Sequence, residues 1–348
     1  MKRKKVLPAD FEEMLKRGNV EEIKDALEQC EPDAHMRYEK KTVLFYDELP
    51  EKIIRYLVEE RGADVNAMSE NNNTVLEQHA FCHPEHIPLL IELGADVNYH
   101  KGYSSTPLYS MAGFHRPESV KILLEHGADP TVSCGWFQDT PMENALKSCR
   151  PADIANTAAV AELLLEYGAP VTEKMKKEVT RIGTDFEFMR KDFNPDYLEE
   201  TEKGLEKLYR LFSVPPVPRR KVYDGVSLIT VKSKTWQKQH AELWEMLVPG
   251  MGNADTVQGE VIRIVGKLCY EILDNGACNW DREYKKLTRA LAGYLGQGIP
   301  AKQEAVALAK GVFPRSSEKE LYLLNRYCVE WVLKNPEPIH LDSVEYKR

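Results

Sequence analysis

A stripe of polar side chains between positions 260 and 275 has the residue types that acid–base chemistry needs. At about 100° per residue, Glu260, Arg263, Lys267, Glu271, Asp274 and Asn275 share one helix face, while Val261, Val265, Leu268, Cys269 and Ile272 share the other. Two carboxylates and a guanidinium spaced by whole helical turns would suit a general base and an anion clamp. Asn275, Asn279 and Asp281 would add loop groups around them. The loop holding Pro249, Gly250 and Gly252 leads into this stretch and offers N–H groups to an anion. It carries neither G-x-G-x-x-G nor a P-loop Lys-Ser/Thr pair. The same stripe also reads as a solvated face, with Glu–Arg and Lys–Glu pairs three and four residues apart. Arg263 decides between these readings: exposed and structural, its loss costs under about 1 kcal/mol.

A second cluster, His79, Cys82, His83 and His86, lacks the matched ligand set that zinc requires, and no metal or cofactor is expected. No G-x-S-x-G, H-E-x-x-H or kinase string occurs. The 7 cysteines are scattered and unpaired by spacing, as expected of free thiols in a reducing compartment.

Two strings organise the elements around these residues. Gly62-Ala63-Asp64-Val65-Asn66, Gly94-Ala95-Asp96-Val97-Asn98 and Gly127-Ala128-Asp129-Pro130 start 32 and 33 residues apart, and Gly168-Ala169-Pro170-Val171 follows after 41. In step with them run Thr42-Val43-Leu44, Thr74-Val75-Leu76, Thr106-Pro107-Leu108 and Thr140-Pro141-Met142, at spacings of 32, 32 and 34. Thr suits a helix N-cap, Pro the first helical position, and Gly the left-handed C-terminal cap.

This double register resembles the ankyrin repeat, with its period near 33 residues and its T-P-L-H string. The resemblance covers about residues 8–190 and implies turns and antiparallel helix pairs stacked into a solenoid. It also implies that His83 is a structural histidine in the turn between two helices. Residues 11–30 and 172–189 would be its degraded caps. The extra length of the fourth copy is expected as a loop around residues 148–157. Fingers are expected at 66–73, 98–105 and 130–139. Partner-binding candidates on fingers and first helices are Asn71, Glu77, Phe81, Tyr103, Tyr109, Phe114, Trp136 and Phe137, the aromatics as interface anchors.

Residues 191–235 read as a linker: a charged helix over 197–212, then the stiff stretch Val214-Pro215-Pro216-Val217-Pro218-Arg219-Arg220. The P-x-x-P string would also fit an SH3-type ligand. Residues 226–231 form a short strand or an extended arm. Residues 236–335 carry helical patterns near 236–248, 256–274, 281–295, 300–311 and 317–334, and Trp236, Trp244, Trp280 and Trp331 can fill their core. Residues 336–348 read as a tail. The fold class is therefore all-α, an ankyrin-like solenoid followed by a compact helical bundle.

With 348 residues and a net charge of −8, the chain has room for two domains and does not suit the polyanion of a nucleic acid. The basic start MKRKK meets no apolar run, and no segment is apolar enough for a membrane span, so a cytoplasmic location is expected. The leading expectation is a protein–protein interaction module whose stack binds a protein partner, an inhibitor or immunity-type protein being one version. The alternative is an enzyme or small-ligand site around Glu260, Arg263, Glu271 and Asn279.

Overall fold

Three of the four threonines at the repeat register cap helices through their side chains, while Thr42 precedes a short helical turn without a side-chain cap. In the computed structural model, which describes residues 3–35, 41–46, 48–102 and 104–348, Thr74 Oγ1 accepts from Glu77 N at 3.1 Å and Thr106 Oγ1 from Tyr109 N at 3.1 Å. Thr140 Oγ1 accepts from Glu143 N at 3.3 Å, and the Glu143 carboxylate returns a bond to Thr140 N at 3.0 Å, closing a capping box. The glycines of the other string all lie in the left-handed region: Gly62, Gly94, Gly127 and Gly168 have φ of 69°, 98°, 88° and 90°. Each ends a helix where a Cβ would be strained.

The chain is mostly helical. The first strand, β1 (Lys4–Val6), is followed by α1 (Phe11–Arg17), α2 (Val20–Glu28) and β2 (Cys30–His35). Then come α3 (Glu51–Arg55), α4 (Val75–Cys82), α5 (Ile87–Glu92), α6 (Pro107–Gly113), α7 (Pro117–Glu125), α8 (Pro141–Ser148) and α9 (Ile154–Glu166). Two longer helices follow, α10 (Glu173–Met189) and α11 (Pro195–Phe212). The last five are α12 (Trp236–Leu247), α13 (Val257–Cys269), α14 (Arg282–Tyr294), α15 (Gln303–Gly311) and α16 (Glu318–Lys334). Helix α13 continues as a wider π-type turn over Tyr270–Asp274. The strands β1 and β2 pair in parallel, a small sheet that helical periodicity did not announce.

The helices form two compact units, Met1–Phe186 with Pro195–Val217, and Glu187–Asn194 with Pro218–Arg348. In the first unit, α6 packs against α8, α7 against α9, and α4 against α6. Consecutive turns are tied by a repeated bond set. Asn66 Nδ2 donates to Gly94 O at 3.0 Å while its Oδ1 accepts from Asp96 N at 2.9 Å. Asn98 does the same one repeat later, to Gly127 O at 3.1 Å and from Asp129 N at 2.8 Å. Each Asp of the string turns the chain by accepting from the N–H two residues on, as Asp64 does from Asn66 at 2.9 Å. The fingers are held at isolated bridges, Met68 with Thr74 and Cys134 with Asp139.

Several boundaries differ from those expected from sequence. The extra residues of the fourth copy go mainly into helix: α9 has 13 residues where α7 has 9. Helix α11, expected within a linker, packs along α9 and buries Leu205, Leu208 and Phe212 in the first unit. Gly204 permits that approach, because a Cβ there would lie 2.7 Å from Ala155 Cα. Of the two forms expected for residues 226–231, the chain takes the extended arm: Ile229 is buried and its N–H donates to Pro336 O at 2.9 Å. Residues 336–348 are part of the second unit. Val257 N donates to Ile339 O at 2.8 Å, Gln258 Nε2 donates to Asn335 O and Glu337 O, and Tyr346 is 6% exposed.

The second unit closes around α13. Val261, Ile262, Ile264, Val265 and Leu268 share one core with Leu243 and Leu247 of α12, Leu287 and Leu291 of α14, and Leu324, Cys328 and Val332 of α16. Apolar contacts on nearly every side make α13 the central helix and leave no solvated face along it.

Candidate functional site

Among the described residues, the most exposed aromatics of the first unit sit on one finger. Trp136 and Phe137 are 72% and 74% exposed, at the tip of a turn closed by Cys134 N donating to Asp139 O at 3.1 Å. Gly135 and Gln138 flank the tip with φ of 71° and 52°. The turn is anchored from beneath: Gly135 faces the Tyr109 ring, and a Cβ there would lie 3.2 Å from the hydroxyl. Thr106 N donates to Cys134 Sγ at 3.5 Å. Below the tip, the buried Asp139 carboxylate takes Lys147 Nζ at 2.5 Å and Lys174 Nζ at 2.8 Å. Burial works to raise its pKa, but the two ammonium groups prevail and hold it below the usual carboxylate range. Lys147 also lies over the Phe137 ring, 5.4 Å from its centre. Both rings thus remain largely exposed on a turn that is anchored at its base.

Other candidates divide by exposure. Phe81 and Phe114 are exposed and meet edge to face at 5.1 Å, with Arg116 over Phe81 at 4.5 Å. Asn71 is exposed at the tip of the 66–73 finger, beside Asn72 at φ 61°. Tyr109 is half-buried under Gly135. Glu77 is a correction: it is 5% exposed and belongs to the helix start of α4. Burial raises its pKa, against a hydrogen bond with Ser110. Tyr103 lies outside the described residues. In the histidine cluster, His79 and His86 are the buried pair, joined at 3.0 Å, and His79 Nε2 meets Leu44 O at 2.9 Å. His83, expected as the structural histidine, is half-exposed and pairs with Glu85 at 2.9 Å.

The polar stripe of α13 is neither an open groove nor a solvated face. Glu260, Arg263 and Glu271 are 0%, 2% and 1% exposed. Arg263 grips Glu260 through Nε at 2.8 Å and Nη2 at 2.5 Å, and Nη2 also donates to Asn253 Oδ1 at 2.9 Å and to Arg348 O at 2.9 Å. Glu260 further accepts from Ala254 N at 3.0 Å and from Tyr346 Oη at 2.7 Å. Thr256 caps α13, accepting from Gly259 N at 3.1 Å. Glu271 closes the following turn. It accepts from Asn279 N at 2.5 Å, Asn275 Nδ2 at 3.0 Å and Tyr284 Oη at 3.3 Å. Its burial opposes ionisation, yet these donors prevail and hold it below its ordinary value. Asp281 caps α14, accepting from Glu283 N at 2.9 Å and Tyr284 N at 3.1 Å, and takes Arg348 Nη2 at 2.7 Å.

Arg263 and Glu271 therefore have separate partner sets, and the end of the chain lies against this region through Tyr346 on Glu260 and Arg348 on Arg263 and Asp281. The tail was the missing element. Its aromatic Tyr346 between polar residues is the one sequence signal that could have shown it. No known family model matches the chain, and no curated protein matches it.

Proposed function

We propose that about residues 8–190 form an ankyrin-like stack that binds a protein partner, with the Trp136–Phe137 finger tip as its anchor. The observation that carries this reading is the pair of rings held more than 70% exposed on a turn fixed at its base. Large aromatics presented rigidly lose little conformational freedom on binding and dominate interface energies. Phe81 and Phe114 add a second aromatic patch in the same unit, and the net charge of −8 favours a partner with a basic surface. All 7 cysteines are free thiols, which fits a cytoplasmic protein. No helix among the described residues is long and apolar enough to cross a membrane. The polar residues of the alternative reading are committed to one another and to the tail, so the finger is the place to test.

The test is photo-crosslinking in the native host, with a benzophenone amino acid at position 136 or 137 and, as control, at Tyr167, which is 44% exposed in the same unit. The expected result is one adduct at 136 and 137, absent at 167. Purified, that partner should bind Trp136→Ala/Phe137→Ala at least about 2 kcal/mol more weakly. Identical adducts at all three positions, or an affinity unchanged by the double substitution, would sink the reading.

A further inference from the structure

The arm over residues 226–234 belongs to the second unit and leaves one of its edges open. From 228 to 234 its exposure alternates residue by residue. Leu228, Thr230, Lys232 and Lys234 are exposed, while Ile229 is buried and Val231 and Ser233 are half-buried. That period of two is the mark of an extended chain lying on a core. In such a chain the main-chain groups of alternate residues point to opposite edges. Ile229 N donates to Pro336 O at 2.9 Å, so one edge is engaged. Leu228 and Thr230 belong to the other edge, and their N–H and C=O groups have no hydrogen-bond partner among the described residues.

This open edge is short and closed at both ends. The donor before it, Val226 N, is held by Asp224 Oδ1 at 3.0 Å, and the donor after it, Lys232 N, by Glu242 Oε2 at 2.7 Å. Asp224 also takes Ser227 N at 2.8 Å, and Glu242 takes Ser233 N at 3.1 Å. Ile229, 2% exposed, fixes the middle of the arm in the core. The arm is therefore set in its extended form before anything docks, and pairing costs little conformational freedom. Val226 and Leu228 are 78% and 60% exposed along it. An unpaired edge with apolar side chains is a template for another strand.

We propose that this edge pairs with the same edge of a second copy of the chain, antiparallel about a two-fold axis at Ile229. Leu228 then faces the partner's Thr230, and Thr230 faces the partner's Leu228. Four main-chain hydrogen bonds form, and every free donor meets a free acceptor. The open edge is complementary to itself in this register alone. A slide of two residues one way sets Leu228 against the partner's Lys232, whose N–H Glu242 already holds. A slide the other way sets Thr230 against the partner's Val226, whose N–H Asp224 already holds. Charge agrees with the same register, because the exposed Lys234 comes to the partner's Asp224 turn and no two lysines face each other. The contact is separate from the Trp136 finger and does not depend on it.

Two arms of this length cover less than the roughly 1,200 Å² of stable interfaces, so the dimer is weak, with Kd on the order of 0.1 mM. Sedimentation equilibrium of the full chain, from about 10 µM to about 1 mM, should show monomer passing to dimer and stopping there, because a two-fold contact closes. Thr230→Pro removes a donor that has no partner within the chain and is tolerated on an extended edge. It should weaken dimerisation about tenfold or more and leave the melting temperature unchanged. Asp224→Asn keeps an acceptor for the turn but loses the charge, and should weaken the dimer about threefold. The register is read by pulsed EPR with a nitroxide on Lys232→Cys, in a chain whose exposed Cys82 and Cys278 are replaced by Ser. Three residues from the axis on each strand put the two labelled Cα atoms about 20 Å apart. If Thr230→Pro lowers the melting temperature, this distance decides by itself. A monomer at every concentration, growth beyond the dimer, a dimer that a stably folded Thr230→Pro leaves unchanged, or a separation beyond about 30 Å would overturn the proposal.

Discussion

Replacing Arg263 by Met tests whether the α13 stripe is the buried network described above. Arg263 and Glu260 are 2% and 0% exposed and share two hydrogen bonds. Breaking a buried pair from one side costs about 3–5 kcal/mol, because a charge is left without its counterion. Glu260 keeps Ala254 N at 3.0 Å and Tyr346 Oη at 2.7 Å, and Met fills the space of the arginine stem. Both effects place the loss at the low end, about 3 kcal/mol. At about 4 °C per kcal/mol for a unit of this size, the melting temperature should fall by about 12 °C. Urea unfolding followed by tryptophan emission is the assay, since Trp236, Trp244, Trp280 and Trp331 all lie in the second unit. The double variant Glu260→Gln/Arg263→Met leaves no lone charge and should recover more than half of the loss. A single variant within about 0.5 kcal/mol of the unaltered protein, the range of ordinary surface changes, would refute the reasoning and return Arg263 to a solvated face.

Thiol labelling should separate the cysteines by burial. Cys82 and Cys278 are exposed and should react with maleimide in the folded protein, whereas Cys149, whose thiol burial pushes up to about 12, and Cys269, pushed up to about 11, should react only on unfolding; a third fast adduct by mass spectrometry would contradict this. Gly204→Ala should destabilise the first unit by about 1–2 kcal/mol despite its better helix propensity, because the new Cβ meets Ala155 Cα at 2.7 Å. Gly293→Ala, with nothing within 4 Å of its Cβ position, should instead stabilise the second unit by about 0.5 kcal/mol, and both are checked by urea denaturation. Burial holds the His115 imidazole below its ordinary pKa of 6.5, against the pull of Asp153. Because the unfolded chain takes up the proton first, this residue's contribution to stability is present above pH 6.5 and is lost as the pH falls through its folded value. An NMR titration that placed His115 at or above 6.5 would show the ring to be hydrated.

What was legible in the sequence was local. Thr74, Thr106 and Thr140 cap helices because a cap needs only the N–H groups two and three residues on. Gly62, Gly94, Gly127 and Gly168 take positive φ because each ends its own helix. The five helices of the second unit were readable from their periodicity for the same reason. The exposed rings of Trp136 and Phe137 were also foreseeable, since a short finger has no room to bury them. The fate of Glu260, Arg263 and Glu271 was not foreseeable. A period of 3.6 residues tells which side chains share a face, but not whether that face meets water or another part of the chain. Here the answer came from Tyr346 and Arg348, 86 and 85 residues away from the groups they bind. The same holds for Asp139, which finds Lys174 at a separation of 35 residues, and for α11, whose Gly204 matters only because Ala155 lies against it. Hydrogen-bond caps and backbone preference act within one or two turns and are written in adjacent residues. Burial is a property of what packs on top, so only the tertiary structure decided it.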